Sequence, residues 1–192
     1  MKKAIFWTPL AICTILAASA CSSGEYKTWR EEVILSDGSK IFVDQKRRCD
    51  GAYNGQANNA CIAREAWLTV YRPELSERPI EWHEHLHPMI VNLFQGKLYV
   101  VGDPPTEREF HLYGSPRPAY IGFVWEADHW RQLKFSEIPP AIYDTNLLIA
   151  AFPPEGITAL TVERKAANDL NGDWRIPKQL KQVDPAYESN FN

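Results

Sequence analysis

Proline placement is the feature of this sequence that most limits its fold. The chain has fourteen prolines, and most of them stand between short runs of β-branched and aromatic residues rather than inside those runs. The prolines concerned are Pro73, Pro79, Pro88, Pro104, Pro105, Pro116, Pro118, Pro139, Pro140, Pro153 and Pro154. Because proline lacks a backbone N–H and clashes with the preceding helical turn, this placement predicts short strands separated by turns rather than long helices.

Three pairs of apolar runs are joined by tight turns of the kind that close β-hairpins. The predicted strand pairs are 32–35 with 40–43, 90–94 with 97–101, and 120–125 with 130–135, and a further strand is predicted at 66–71. Asp37-Gly38 and Gln95-Gly96 supply the first two turns, and the third passes through Asp128. The pattern predicts a mainly β fold, an antiparallel meander of hairpins that forms a sandwich or a curled sheet.

The predicted domain organisation is simple. It comprises a signal peptide at 1–20, a tether at 21–28, a single β-rich domain at 29–183 and a loosely ordered tail at 184–192. One short C-terminal helix is expected at 162–170, with Thr161 as its N-cap and Asn171-Gly172 at its end. The 172 residues that follow the signal are enough to build one domain with a sizeable core.

The N-terminus has the three parts of a secretory signal peptide. Lys2 and Lys3 form a positive region, residues 4–17 an apolar region, and Ala18-Ser19-Ala20-Cys21 a cleavage site. The four residues resemble the lipobox of bacterial lipoproteins, which implies a lipid on Cys21 and a mature chain that begins there. Ala18-Ser19-Ala20 also satisfies the rule for ordinary signal peptidase, which would leave a soluble product. The resemblance, with Ser22 rather than aspartate after the cysteine, implies lipid anchoring in the outer membrane, facing the periplasm.

Net charge separates the classes of partner. Without Lys2 and Lys3 the chain carries 19 basic and 24 acidic residues, a net charge of −5, with the signs interspersed. Nothing in this balance suggests nucleic acid or an anionic lipid surface as a partner, and no nucleic acid is expected. The membrane is therefore expected to be reached through the lipid anchor, and an envelope protein is the expected partner.

Cys49 and Cys61 are the pair of cysteines that remain after Cys13 leaves with the signal and Cys21 is lipidated. In an oxidising compartment they predict a disulfide that closes a loop rich in Gly and Asn. Two independent thiols are the alternative. A zinc site is a weaker one, because the C-x-x-C spacing is absent.

His83, His85 and His87 form the only pattern in the sequence that resembles a metal site. On a strand they would fall on one face, where imidazole nitrogens could bind zinc or copper. Pro88 ends the strand at once and no fourth ligand is evident, so we interpret the three histidines as an exposed strand end. No metal or other cofactor is predicted.

Two blocks of the sequence resemble a group of uncharacterised proteobacterial lipoproteins. The first is the W-[KR]-E-E-V-x-L-x-D-G opening, matched here by residues 29–38, and the second covers residues 120–139. Both blocks build hairpins and imply no catalytic residue. G-x-S-x-G and H-E-x-x-H motifs are absent from the sequence.

These observations favour a non-catalytic envelope lipoprotein that binds another envelope protein, for example an immunity protein against a delivered toxin. The alternative is a periplasmic metal-binding protein that uses His83, His85 and His87. An enzyme acting on cell-wall or lipid substrates ranks third. Trp67, Trp82, Trp125 and Trp130 could line a ligand groove, but strand aromatics are more often core or cross-strand pairs.

Overall fold

The computed structural model describes residues 25–50, 62–149, 152–153, 156–167, 178–189 and 191. The strands are β1 (Glu25–Ile34), β2 (Lys40–Asp50), β3 (Ile62–Val70), β4 (Ile80–Glu84), β5 (His87–Phe94), β6 (Lys97–Asp103), β7 (Ile121–Glu126), β8 (His129–Leu133) and β9 (Ala159–Leu160). The helices are α1 (Glu107–Leu112), α2 (Val162–Ala167) and α3 (Lys178–Lys181), with 3₁₀ turns at Phe135–Glu137 and Pro140–Ile142. The fold is mainly β, as the sequence predicts.

The strands form two sheets that do not close into a barrel. One has five strands in the order β4-β3-β2-β1-β9, and the other has four in the order β5-β6-β7-β8. Neighbouring strands are antiparallel except for β9, which runs parallel to β1. Each sheet is therefore a meander of consecutive hairpins, and β9 returns from late in the chain to cover the β1 edge.

The main core lies between the two sheets. β1 and β2 alternate more and less buried residues, and one face of the five-stranded sheet packs on the four-stranded sheet. The buried residues of this core are Val33, Leu35, Val43, Ala66, Leu68, Val70, Ile80, Trp82, Leu86, Val91, Leu98, Val100, Ile121, Phe123 and Leu147. The opposite face of the five-stranded sheet stays open, and we call it the outer face.

A second core covers the other side of the four-stranded sheet. Its buried residues are Met89, Ile90, Val101, Tyr120, Val124, Leu133, Ile138, Ile142 and Val183. Gly122 makes the packing possible, since a Cβ there would lie 2.7 Å from Ile138 Cγ1. Val183 brings the C-terminal segment into this core, where Tyr187 packs on the Tyr120 ring with centroids 5.8 Å apart. This packing differs from the loosely ordered tail predicted from residue 184 onward.

The chain passes from one sheet to the other at His85-Leu86. β4 ends at Glu84 in the five-stranded sheet, and β5 begins at His87 in the four-stranded sheet. A β-bulge follows between Pro88 and Ile90. The strand through the histidines is therefore broken, which decides where each histidine lies.

The predicted hairpins are all present. Gln95 and Gly96 both have positive φ, 49° and 75°, as a tight hairpin turn between β5 and β6 requires. Thr161 caps α2, since its hydroxyl accepts a 3.2 Å hydrogen bond from the Arg164 N–H. The remainder of the predicted helix, with Asn171-Gly172, lies outside the described residues.

One boundary differs from the sequence prediction. β1 begins at Glu25, within the predicted tether, because residues 25–28 pair with the C-terminal part of β2. β9, α1 and α3 have no counterpart in the prediction. The signal peptide, Cys21 and Cys61 lie outside the described residues. None of the helices in the described part of the chain is long and apolar enough to span a membrane.

Candidate functional site

Exposed apolar side chains concentrate on the outer face. Within the described residues four large hydrophobic side chains are exposed, and three of them, Tyr26, Ile34 and Tyr71, belong to this face. The fourth, Leu112, is on α1. Tyr26 and Tyr71 have similar exposed fractions, 52% and 51%. Single exposed hydrophobic residues are ordinary in soluble proteins, but a group on one face indicates an interaction surface.

A cation contacts two aromatic rings at the start of β1. Lys46 Nζ is 4.7 Å from the ring centroid of Tyr26 and 4.5 Å from that of Trp67. Trp67 in turn stacks on the His83 ring at 4.3 Å, with the planes 12° apart. Cross-strand pairing positions the group, because Lys46 on β2 lies beside Trp67 on β3, and Trp67 lies beside His83 on β4. Tyr26, Lys46, Trp67 and His83 form what we call the aromatic row.

A second set of contacts lies further along the same face. Arg30 stacks over the Phe42 ring at 5.1 Å and lies 3.7 Å from the Asp44 carboxylate. A hydrogen bond between Tyr71 and Asp44 raises the pKa of the tyrosine. The side chains here are held by their neighbours, so the face is ordered before any partner binds.

An open groove of about 580 Å³ lies in the outer face between these two groups. Its lining residues are Thr28, Trp29, Arg30, Asp44, Gln45, Lys46, Trp67, Thr69, Glu81 and Thr158. The lining combines charges of both signs, hydroxyls and two tryptophans. Such a surface is suited to polar recognition rather than to enclosing an apolar ligand.

The histidines separate into two environments. His83 is exposed and His85 is half-buried, with side chains 46% and 40% exposed, and each has a nitrogen within 4 Å of a Glu65 carboxylate oxygen (3.7 and 3.9 Å). His87 has a side chain only 15% exposed and lies on the other sheet. The expectation that all three form an exposed strand end is therefore wrong for His87, because the strand breaks at His85-Leu86. Within the described residues no group of three His, Cys, Asp or Glu side chains is placed to hold a metal ion.

Buried polar residues connect the two sheets. Glu31, fully buried on β1, accepts hydrogen bonds from the Trp29 indole at 3.1 Å, the Leu148 N–H at 2.7 Å and the Lys165 ammonium at 3.0 Å, and also from Gln45. The carboxylate therefore joins β1, β2, α2 and the segment around residue 148. A charge buried to this extent is tolerated because every donor around it is aimed at the oxygens.

Arg47 continues this network to the four-stranded sheet. Its Nη2 donates to the Leu148 carbonyl at 2.6 Å, and its Nη1 lies 3.0 Å from His87 Nε2. Because arginine only donates, His87 accepts at Nε2 and carries its proton on Nδ1, 3.6 Å from Asp103 Oδ1. Burial and the adjacent guanidinium lower the pKa of His87 to about 3, and burial raises the pKa of Asp103 to about 7.

The groups of this network with large pKa shifts are thus inside the protein. Arg47 is 2% exposed, its pKa lowered to about 10 by burial. Perturbed pKa values often mark catalytic sites, but structural networks shift them as well. The Glu31–Arg47–His87 network stabilises the packing of the sheets, and Trp29 and Gln45, which line the groove, are hydrogen-bonded to it.

The other predicted residues lie in varied environments. Cys49 is buried on β2, whereas Cys61 is outside the described residues, so the disulfide remains a prediction. Among the tryptophans, Trp82 is in the core and Trp67 is on the outer face. Trp125 and Trp130 pack edge to face at 5.4 Å, and the Trp130 indole donates to the Glu81 carbonyl at 2.8 Å. Of these four tryptophans, only Trp67 lines the groove in the outer face.

Sequence reasoning missed Tyr26, Lys46 and the Glu31–Arg47 network. Tyr26 lies in the segment predicted as a tether, and Lys46 lies beyond the predicted end of its strand. The signal for Glu31 was present, because it has the same alternation phase as Trp29 and Val33. The chain matches no protein-family model, no curated protein and no solved structure.

Proposed function

We propose that the protein is a non-catalytic lipoprotein of the cell envelope that binds another envelope protein through its outer face. Cys21 is the lipidated residue of this proposal, and the domain from β1 onward is the binding module. The observation that carries the proposal is the placement of Tyr26, Ile34 and Tyr71, three of the four exposed large hydrophobic side chains of the described residues, on one sheet face.

The composition of the outer face supports a protein partner. Tyrosine, tryptophan and arginine are enriched where protein interfaces concentrate their binding energy. Tyr71, Trp67 and Arg30 supply all three residue types here. Charges of both signs at Arg30, Asp44 and other groove positions suit recognition of a specific polar surface.

We propose a non-catalytic role because of where the titratable groups with large pKa shifts lie. Among the described residues, the histidine and the aspartate with large pKa shifts, His87 and Asp103, are in the interior. The groove side chains are held in ion pairs and ring contacts of the kind that order a binding surface. An immunity protein and a subunit of an envelope assembly both fit this description, and the identity of the partner separates them.

Site-specific photo-crosslinking in the intact envelope tests the proposal. A photoreactive residue at Thr69, which lines the groove on β3, is expected to capture one protein. The matched control is Gln132, an exposed strand residue of β8 on the other sheet. Equal capture from both positions, or none from Thr69, would contradict a binding role for the outer face.

Purified components then give the affinity. Tyr71→Ala and Ile34→Ala together are expected to weaken binding of the captured protein by tenfold or more, because each removes apolar contact area. Leu112→Ala removes another exposed large hydrophobic side chain, on α1 and outside the outer face, and should leave the affinity unchanged. An equal loss in both variants would refute the assignment of the face.

A further inference from the structure

The aromatic row is at the end of the outer face that the chain enters first. Tyr26 is the second residue of β1, and its ring lies 6.1 Å from that of Trp67, so that the Lys46 ammonium contacts both rings. Within the described residues Lys46 makes no ion pair, although it is exposed. The end of the sheet therefore presents two amphipathic rings in contact with one cation, which has no ion-pair partner among the described residues.

Chain length fixes how far this end can lie from the lipid. Tyr26 is five residues after Cys21, and an extended chain spans at most about 3.6 Å per residue, so the two Cα atoms are within about 18 Å. A lipidated Cys21 is at the level of the headgroups. This step rests on the lipid anchor of the proposed function. If Cys21 is anchored, the short chain between Cys21 and Tyr26 keeps Tyr26 near the bilayer surface.

The direction of β1 takes the rest of the outer face away from that surface. Ile34 is eight residues beyond Tyr26, about 26 Å along the strand. Tyr71 follows Val70, which pairs with Val43, and so lies level with Phe42 and about 20 Å from Tyr26 along the sheet. The two equally exposed tyrosines thus mark the two ends of one face.

We infer that Tyr26, Lys46 and Trp67 contact the phospholipid headgroups of the membrane in which the protein is anchored, and so hold the outer face upright on the bilayer. Tyrosine and tryptophan favour the interface because one part of each side chain is apolar and the other forms hydrogen bonds. The Lys46 ammonium, which lies over both rings, reaches a lipid phosphate. The mechanism needs no net positive charge on the protein, since zwitterionic lipids carry the same phosphate.

The contact also sets the orientation of the proposed partner-binding face relative to the membrane. With the aromatic row on the lipid, the edge of the groove formed by Lys46 and Trp67 lies at the bilayer, and Ile34 and Tyr71 are at the distal end. A partner can then approach Ile34 and Tyr71 without displacing lipid.

Tyrosine nitration on vesicles tests the inference with an internal control. The lipidated protein is reconstituted into phosphatidylcholine vesicles and nitrated with tetranitromethane, and each site is quantified by mass spectrometry. The reference for each tyrosine is its own rate in the unlipidated Cys21→Ala protein in buffer. We expect Tyr26 nitration to slow about fivefold or more on vesicles and Tyr71 nitration to stay the same.

Flotation in the same samples separates the two proposals. Protein that floats with vesicles but nitrates at Tyr26 as fast as the reference would overturn the headgroup contact and leave the anchor intact. Slowed nitration at both tyrosines would mean that the sheet lies flat, which also overturns the inference. Failure to float would overturn the lipid anchor, and the headgroup contact with it.

Lys46→Glu tests the cation directly. This change is expected to restore Tyr26 nitration on vesicles, whereas Lys97→Glu, at an exposed lysine of β6, should leave the protection in place. Protection that survives Lys46→Glu would contradict a role for Lys46. A melting curve confirms that both variants are folded.

Discussion

Lys165 of α2 donates a 3.0 Å hydrogen bond from its ammonium to the buried carboxylate of Glu31 on β1. The two residues are 134 positions apart, and their side chains are 12% and 0% exposed. A late helix of only six residues is thus attached to the first strand by an ion pair that water barely reaches.

Removal of this lysine should be costly. We expect Lys165→Met to lower the free energy of unfolding by about 3 kcal/mol, because it leaves the Glu31 charge without its cation in the interior. The control is Lys40→Met, which breaks the exposed ion pair between Lys40 and Glu163 of the same helix and should change little. Urea unfolding of both variants measures the difference. Equal losses in the two variants would mean that the buried Glu31 carboxylate does not depend on Lys165. Adding Glu31→Gln to the Lys165→Met variant should recover part of the lost stability, because it removes the unpaired charge.

The Asp103 carboxyl should make stability depend on pH. Burial raises its pKa from 3.8 to about 7, so between these values the folded state binds more protons than the unfolded state, and stability falls as pH rises. His87 acts in the opposite direction, because its pKa falls from 6.5 to about 3 and its contribution to stability rises with pH. In the wild type the two effects largely cancel from pH 4 to 6.5.

Asp103→Asn removes only the first effect. Relative to the wild type, the variant should gain on the order of 3 kcal/mol of stability between pH 4 and 7. Urea unfolding at pH 4, 5.5 and 7 checks this. A difference that stays constant with pH would show that Asp103 titrates at its ordinary pKa in the folded protein.

The histidines should differ sharply on substitution. His87→Ala is expected to destabilise the fold by about 2–4 kcal/mol, because it opens a cavity and removes the acceptor of Arg47 Nη1. His83 is exposed, so replacing it by alanine should change the free energy of unfolding by about 0.5 kcal/mol or less. His85→Ala should cost about 1 kcal/mol, because it removes the 2.9 Å hydrogen bond between His85 Nδ1 and the Arg64 carbonyl. Thermal melts of the three variants provide the comparison. Three equal, small effects would restore the exposed strand end predicted from sequence.

Lipidation is expected at Cys21. Labelled palmitate should enter the wild-type protein, and Cys21→Ala should abolish both the label and stable membrane attachment, since several acyl chains are needed for a firm anchor. Cys49→Ala is the matched cysteine control and should keep the label. Unchanged attachment of the Cys21→Ala protein would argue against the anchor.

Cys49 and Cys61 are expected to be oxidised to each other in the exported protein. Thiol labelling of denatured, unreduced protein should then detect neither cysteine, and reduction should lower the free energy of unfolding by about 3 kcal/mol. Both residues recovered as free thiols would refute the disulfide.

Local sequence signals were sufficient to predict the hairpins but not how the sheets meet. Gln95-Gly96 specifies its turn through backbone conformations that few residues adopt, so the β5–β6 pair could be predicted without knowing the rest of the chain. β9 contributes two residues, and its pairing with Arg30 and Glu31 spans more than 120 residues. No local pattern carries that information.

The candidate site was predictable only in part for the same reason. Trp67 could be identified as a strand aromatic, but its contact with Tyr26 depends on β1 starting earlier than the sequence suggests. His87 was misplaced because strict alternation was extended across His85-Leu86, where the chain changes sheets. Glu31 and Arg47 are charged residues at strand positions whose side chains face the interior. A charged residue at such a position is the sequence signal of a buried polar network.

The pairing of β1 along its whole length with β2 has a mechanical consequence. Ten residue pairs join the two strands, and antiparallel hydrogen bonds are perpendicular to the strand direction. A tension between an anchor at Cys21 and a partner held at the distal end of the sheet acts along β1. The load is then shared by all ten pairs in shear instead of opening them one at a time from an end. A domain tethered at this terminus can therefore hold its partner under strain while its first strand stays in the sheet.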